Sequence, residues 1–270
     1  MIPGRELDFC LLIPCYNNLP GLLTSLNSVV YPGPYLVLVV DDGSAEPVTS
    51  VAVEAGLNGE KPVMILRNET NLGITQTLNR GISWIEENTH VRYIARLDCA
   101  DTCTEDRFTK QVEWLDAHPD TGLLGTWCRF EEKGTGYNYS YTTPTGHEKI
   151  LKAMYLRNVF IHPTVMFRAS LLPKAGHYPG NFEFAEDYAF FWKLITLQKA
   201  HVIGTFMVIC EINREGLSYA NKGKQLISRW HVVRKYGTSK ALKILAFLRI
   251  SLLFILPKRL TLLLKQRKRP

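Results

Sequence analysis

No acidic residue follows Glu215 in this chain of 270 residues. Nor does any apolar run reach the roughly 20 residues that cross a bilayer. The longest candidate, Ala241 to Leu256, is broken by Lys243, Arg249 and Ser251. As a helix it would extend about 24 Å at ~1.5 Å per residue, against a hydrocarbon core of ~30 Å. Gly-X-Gly-X-X-Gly does not follow the first strand; Pro14-Cys15-Tyr16-Asn17-Asn18 stands there, which argues against a dinucleotide oxidoreductase. Met1 to Asp8 is polar and predicts no signal peptide. The six cysteines are scattered, and no second Cys/His pair joins Cys99 and Cys103 to complete a zinc site. They read as reduced, mostly buried thiols of a cytosolic protein. Internal repeats and low-complexity stretches are also missing.

Charge is present but uneven. Of the 32 Lys and Arg residues, 14 lie from Lys222 onward, leaving 18 against 25 acids in the rest. An acidic body therefore carries a strongly basic tail, suited to an anionic surface.

The most informative segments are two aspartate clusters at the ends of apolar runs: Leu36 to Val40 followed by Asp41-Asp42-Gly43-Ser44, and Tyr93 to Leu97 followed by Asp98-Cys99-Ala100-Asp101. Runs of Val, Leu and Ile without alternation predict strands buried on both faces of a parallel sheet. Ligands of such sheets bind at the carboxyl ends of the strands. Carboxylates gathered there repel one another unless a divalent cation or ligand donors intervene. The pattern suits a polyanionic, metal-bridged ligand such as a nucleotide diphosphate.

Strands are expected at Phe9–Ile13, Tyr35–Val40, Pro62–Arg67 and Arg92–Leu97, with helices between them at Pro20–Val30, Pro47–Ala55 and Ile74–Glu87. This alternation predicts right-handed crossovers in a parallel sheet. A helix at Asp106–His118, ended by Pro119, and a strand at Gly122–Phe130 follow. Residues 131–145 read as a hairpin or mobile loop. Helical patterns return at His147–Arg157 and Asp187–Gln198, with a strand at Val165–Phe167 between them.

Taken in order, the segments Ile13-Pro14-Cys15-Tyr16-Asn17, Val40 to Ser44, Asn71-Leu72-Gly73 with Asn79-Arg80-Gly81, Arg96 to Asp101, His162-Pro163-Thr164 and Ala185-Glu186-Asp187-Tyr188 resemble the family 2 glycosyltransferases of GT-A fold over residues 8 to 215. The resemblance implies an α/β fold: a Rossmann-like, mostly parallel central sheet flanked by helices, with a basic C-terminal helical extension. Residues 1–220 would be the catalytic domain and 221–270 the tail.

The resemblance also implies roles. Pro14, Tyr16 and Asn17 would face the nucleobase, and Asp42 would accept hydrogen bonds from uracil or ribose. A plain turn after the first strand, or an Asx turn made by Asp41, stays open beside these. Asn71 and Gly73 precede a helix whose first amides would face phosphate, unless Asn71 is simply its N-cap. Asp98 and Asp101 occupy the place of a metal-binding Asp-X-Asp, which implies Mg²⁺ or Mn²⁺ on the diphosphate. The second acidic position is Ala100, so either the two aspartates share the ion or its binding is weak; capping of the helix near Asp106 is the other reading. Asp187 would be the base that deprotonates the acceptor hydroxyl, with Glu186 beside it binding acceptor or orienting the loop. Both also suit a helix N-terminus on charge alone. His162 either touches diphosphate or acceptor, or is a buried structural histidine.

The implied activity is that of an inverting, hexosyltransferase-type enzyme moving one sugar from a nucleotide-sugar, UDP by family frequency, to a glycan or polyprenyl-diphosphate-linked glycan. Processive members carry Gln-X-X-Arg-Trp and several spanning helices; here three residues separate Gln225 from Arg229-Trp230. Residues 238–270 are expected at an anionic membrane surface, placing the protein in the cytoplasm, peripheral on the inner face of the cell membrane. The alternative is a helix packed on the body. Its cations alternate with Leu and Ile rather than stacking aromatics, which favours lipid over nucleic acid. A membrane-docked binding protein that lost metal chemistry through Ala100 is the alternative of another class.

Overall fold

A computed structural model describes residues 6–212 and 221–255. Nine strands form one sheet, β1 (Leu7–Cys15), β2 (Tyr35–Asp41), β3 (Val63–Arg67), β4 (Val91–Arg96), β5 (Thr102–Cys103), β6 (Thr121–Glu131), β7 (Asn138–Tyr141), β8 (Met166–Arg168) and β9 (Lys199–Glu211), in the order β3-β2-β1-β4-β8-β6-β9-β5 with β7 on β6. The pairs β3–β2, β2–β1, β1–β4 and β6–β9 are parallel, while β8, β7 and β5 run antiparallel to their neighbours. The mostly parallel α/β sheet expected from the apolar runs is therefore present.

Those runs are apolar on both faces because each face meets its own helix layer. Cys10, Leu12, Leu38, Val40 and Ile94 point into one core, and Phe9, Leu11, Ile13, Val39 and Tyr93 into the other. The first core is covered by α3 (Ile74–Asn88), α5 (His147–Met154), α6 (Leu172–Ala175) and α7 (Glu186–Leu197). The second is covered by α1 (Leu19–Asn27), α2 (Ser50–Gly56) and α4 (Arg107–Ala117). Gly81 lets α3 approach closely: a Cβ there would lie 2.4 Å from a Leu12 methyl.

One local expectation shifts, one open choice is decided, and one strand is new. The helix expected from Pro47 begins at Ser50, because the Thr49 hydroxyl caps it by accepting from Ala52 N. The 131–145 segment is a hairpin, β6–β7. The 13-residue strand β9, which no pattern announced, runs beside β6 with register shifts near Thr126 and Trp127.

Beyond the undescribed stretch, α8 (Lys222–Tyr236) and α9 (Lys240–Ile255) lie against the body. Val232, Val233 and Ala246 join the α7 side of the first core. The outer side of α9 leaves Ile244, Leu245, Phe247, Leu248, Leu252 and Phe254 exposed. Among the described residues no helix is long and apolar enough to cross a membrane. The second apolar piece, Leu260–Leu264, and the basic end after it lie outside the described residues.

Candidate active site

Strand register brings the motif loops together. Cys15 pairs with Asp41, and Leu12 with Arg96, so the carboxyl ends of β1, β2 and β4 lie at one edge of the sheet. A concavity of about 580 Å³ between Val91, Asp116 and Arg168 sits at the opposite end of β4 and contains none of the motif residues.

The adjacent aspartates after β2 do different work. Asp41 accepts from Ser44 N at 3.0 Å, from Val48 N at 3.1 Å and from Arg67, so the Asx turn belongs to it. Asp42, 5% exposed, accepts from Asn68 Nδ2 at 2.7 Å and Leu72 N at 2.9 Å on Oδ1, and from Gly73 N at 3.0 Å on Oδ2. Oδ2 thus keeps acceptor capacity. Gly43 between these loops has φ +72°, and a Cβ would stand 2.4 Å from the Thr70 carbonyl carbon. Arg80 donates to Asn68 Oδ1 and to Arg67 O, and Asn79 exchanges two 2.9 Å bonds with the Tyr178 backbone. The Asn79-Arg80-Gly81 motif is therefore scaffolding.

Asn17 takes φ +51°, donating from its amide to Ser44 Oγ and accepting from Ala45 N, both at 2.8 Å. It ties the loop after β1 to the loop after β2, with Tyr16 beside it 51% exposed and Pro14 half-buried. Asn71 is exposed and is not the N-cap of α3; Gly73 holds that position without a side-chain cap. The Leu72 and Gly73 amides are spent on Asp42, so the amides left for an anion are those of the first turn, Ile74 to Gln76.

The second cluster is built on a buried cation. Arg96 is fully buried; it donates to Leu12 O, to Asp98 Oδ1 at 2.6 Å and, from Nε, to His162 Nε2 at 3.3 Å. Burial pushes the Asp98 carboxyl up while Arg96 and Arg107 pull it down. The Asp98 side chain remains 39% exposed. Ala100 adopts φ +80°, a left-handed turn that swings the next residue away. Asp101 is consequently buried and accepts from Glu211 N at 2.8 Å, tying the loop to β9. Burial and then Asp98 raise its carboxyl well above the usual range. Neither aspartate caps α4, whose N-cap is Asp106.

Among the described residues no group of three His, Cys, Asp or Glu side chains could hold a metal ion. Mg²⁺, however, is commonly held by one or two carboxylates plus substrate phosphates and water. The residues therefore fit an ion that arrives with a diphosphate and meets Asp98, not a preformed cage.

The first turn of α7 lies within electrostatic reach of Asp98. Asp187 accepts from Tyr188 N at 2.6 Å and from Asn158 Nδ2 at 2.9 Å. Its carboxyl is pushed up to about 6, chiefly by burial, with Asp98 adding to the rise and Arg229 of α8 opposing it. Glu186 is pushed up to about 7 by burial, then by Asp187 and Asp98. Burial first, then Arg96, keeps His162 neutral, and its Nε2 meets the Tyr178 hydroxyl at 2.9 Å. Asp98, His162, Glu186 and Asp187 thus share one electrostatic environment. Asp42, Asn71, Gly73, Pro14, Tyr16 and Asn17 gather around the ends of β1 and β2, and Asp101 turns toward β9.

Sequence reasoning passed over Asn68, Asn158 and Tyr178, and it gave Arg96 and Arg229, though quoted within motifs, no role at the site. Arg96 had a signal, a cation directly after the apolar Tyr93-Ile94-Ala95 and before Leu97. So did Arg229: Gln225 lies four residues before it, hence on the same face of α8. Gln225 donates to Phe184 O and Arg229 to Leu156 O, both at 3.3 Å.

Comparison with known proteins agrees with this arrangement. Residues 10–175 match the model of glycosyl transferase family 2. The amylovoran biosynthesis glycosyltransferase AmsE of Erwinia amylovora is 30% identical over 255 residues, covering 92% of this chain and 91% of that protein. The UDP-Gal:alpha-D-GlcNAc-diphosphoundecaprenol beta-1,3-galactosyltransferase of Escherichia coli is 26% identical, covering 56% of each. In fold, S. aureus TarS 1-349 in complex with UDP-GlcNAc superposes with a TM-score of 0.65 at 20% identity, covering 88% of this chain and 69% of that one. The mannosyltransferase PcManGT of Pyrobaculum calidifontis, in complex with GDP-Man and Mn²⁺, gives 0.61 at 16% identity, covering 92% and 71%. A sheet with motif loops at one edge, a family match over residues 10–175 and a glycosyltransferase relative 30% identical along nine-tenths of both chains all converge: the chain belongs to glycosyl transferase family 2.

Proposed function

We propose that the protein transfers one sugar, with inversion, from a UDP-sugar to a hydroxyl of a glycan or lipid-linked glycan, with Asp187 as general base. The observation that carries this reading is the Asp187 carboxylate, held by Asn158 and Tyr188 N within the field of Asp98 and raised to about 6. A base needs hydrogen-bond reach to the hydroxyl and a pKa near the working pH. Asp187 takes the hydroxyl proton as the oxygen attacks the anomeric carbon from the side opposite the nucleotide, and one in-line displacement inverts the configuration. Glu186 orients the acceptor. Tyr16, Asn17 and Asp42 Oδ2 bind the nucleoside, and the first turn of α3 faces the diphosphate. His162, neutral and tied to Arg96, holds the floor between the two halves. Asp98 is the residue that would hold Mg²⁺ or Mn²⁺, with Asp101 fixing its loop. When bound, the ion neutralises charge on the departing diphosphate.

The names of relatives support the substrate classes: UDP-GlcNAc with TarS, and a diphosphoundecaprenol acceptor in the Escherichia coli relative. Transfer of one sugar, not a polymer, is favoured by the Gln225–Arg229 spacing. The exposed apolar side of α9 and the basic tail favour attachment to the inner membrane face.

A thermal-shift screen of nucleotide diphosphates and nucleotide sugars, with and without Mn²⁺ or Mg²⁺, tests the proposal. UDP and one UDP-sugar should raise the melting temperature, more so with the ion. Binding without any donor hydrolysis or transfer would instead favour the binding protein of the same fold.

A further inference from the structure

The reading of a lipid-linked acceptor leaves open what holds its phosphates. Three guanidinium groups from separate elements converge beside the proposed base. Arg157, just past α5, donates to Tyr141 Oη at 3.2 Å and Thr142 O at 3.3 Å and stacks on the Tyr141 ring at 5.2 Å. Arg229 of α8 donates to the carbonyl of Leu156, next to Arg157, and lies 5.9 Å from the ring of Tyr188, the residue after Asp187. Arg249 of α9 is half-buried and, among the described residues, has neither hydrogen bond nor ion pair. Its helix packs on α8 beside Arg229 through the Trp230 and Phe247 rings, 5.3 Å between centroids, and burial followed by repulsion from Arg229 and Arg157 lowers its pKa. None of the three meets a carboxylate within 4.0 Å among the described residues.

Like charges held together at the edge of the core are unfavourable until a counter-charge arrives. Arginine forks match phosphate oxygens in pairs. The surroundings specify more than an anion. Leu245 and Leu252 lie four before and three after Arg249, hence on its face of α9, and they are 47% and 56% exposed. A phosphate joined to a hydrocarbon chain satisfies both features at once.

We propose that Arg157, Arg229 and Arg249 bind the diphosphate of a prenyl-linked acceptor, with the chain running along the Leu245–Leu252 side of α9. This rests on the lipid-linked acceptor reading above and adds the residues that recognise it. Held there, the diphosphate would set its attached sugar within reach of Asp187 by way of Tyr188 and Arg229.

The test is calorimetry on the full chain with farnesyl diphosphate below its micelle concentration, beside inorganic pyrophosphate and farnesol, with the donor site first saturated with UDP. Farnesyl diphosphate should still bind to the UDP-saturated protein, tenfold or more tighter than either fragment. Arg249→Gln and Arg157→Gln should each weaken it at least tenfold while UDP affinity moves less than twofold. Among the described residues Arg249 makes no hydrogen bond or ion pair that its loss would break, so its variant stays interpretable if Arg157→Gln is unstable. Unchanged affinity in Arg249→Gln, competition by UDP, or pyrophosphate binding as tightly as the prenyl compound would each overturn the assignment. Failure of the wild type to bind UDP counts against the transferase reading instead, and is read in a separate titration.

Discussion

Asn158 Nδ2 donates to Asp187 Oδ2 at 2.9 Å, across 29 residues of chain. With Tyr188 N on Oδ1, each carboxylate oxygen is fixed by one bond and keeps a lone pair for a substrate proton. Both bonds favour the anion, burial disfavours it, and burial prevails enough to leave the group at about 6.

Transfer should therefore rise with pH through about 6 to 7, as Asp187 and its neighbour Glu186 ionise. Asn158→Ala removes one bond to the anion and should move the midpoint of kcat up by roughly half to one pH unit. The stability sign is opposite. A carboxyl that binds its proton more tightly when folded than when unfolded costs stability as pH rises from the unfolded value, 3.8, through about 6. Urea titrations at pH 4 and 8 should show Asp187→Asn relieving on the order of 2 kcal/mol at the higher pH only.

Gly43→Ala should be costly. Its φ of +72° and the 2.4 Å approach of Thr70 leave a methyl no room. A loss of about 2 kcal/mol or more is expected in urea unfolding. UDP affinity should fall as well, because displacing Thr70 and Asn71 pulls Leu72 and Gly73 from Asp42.

Asp98 and Asp101 should separate on substitution. Asp98→Asn should weaken Mn²⁺-linked UDP binding about tenfold or more, and chelation with EDTA should then have no further effect. Asp101→Asn keeps the acceptor for Glu211 N, so its metal dependence should match wild type. Equal responses of the two variants would contradict the division of roles.

The exposed side of α9 predicts partition onto anionic vesicles. Leu248→Glu with Leu252→Glu, positions 59% and 56% exposed, should weaken vesicle sedimentation at least tenfold without altering UDP affinity. Equal partition of variant and wild type would remove the membrane surface from the account.

The first half of the sheet was readable because β1, β2 and β4 each carry an apolar stretch without alternation (Phe9–Ile13, Leu36–Val40 and Tyr93–Ala95), the mark of strands covered on both faces. Strand β9 was not, since its 13 residues alternate irregularly around Gly204-Thr205 and its pairing with β6 slips register. The packing of α8 was hidden likewise, its buried Val232 and Val233 set among cations that read as part of a basic tail for an anionic surface. At the site, the motif aspartates were visible as clusters. The division of work between Asp41 and Asp42 was one of the open readings, with the Asx turn at Asp41, and it could not be decided from sequence because it depends on Arg67 and Asn68, which only the β2–β3 pairing brings near. Asn158 carried no local signal at all; its value lies in a contact that no periodicity encodes.

The central claim is that one carboxylate on α7 removes the acceptor proton, and Asp187→Asn tests it most directly when transfer and UDP binding are measured on the same preparation. The account predicts a fall in kcat of about a thousandfold, with UDP affinity within a few-fold of wild type. Retained transfer, or a parallel collapse of transfer and UDP binding, would contradict it.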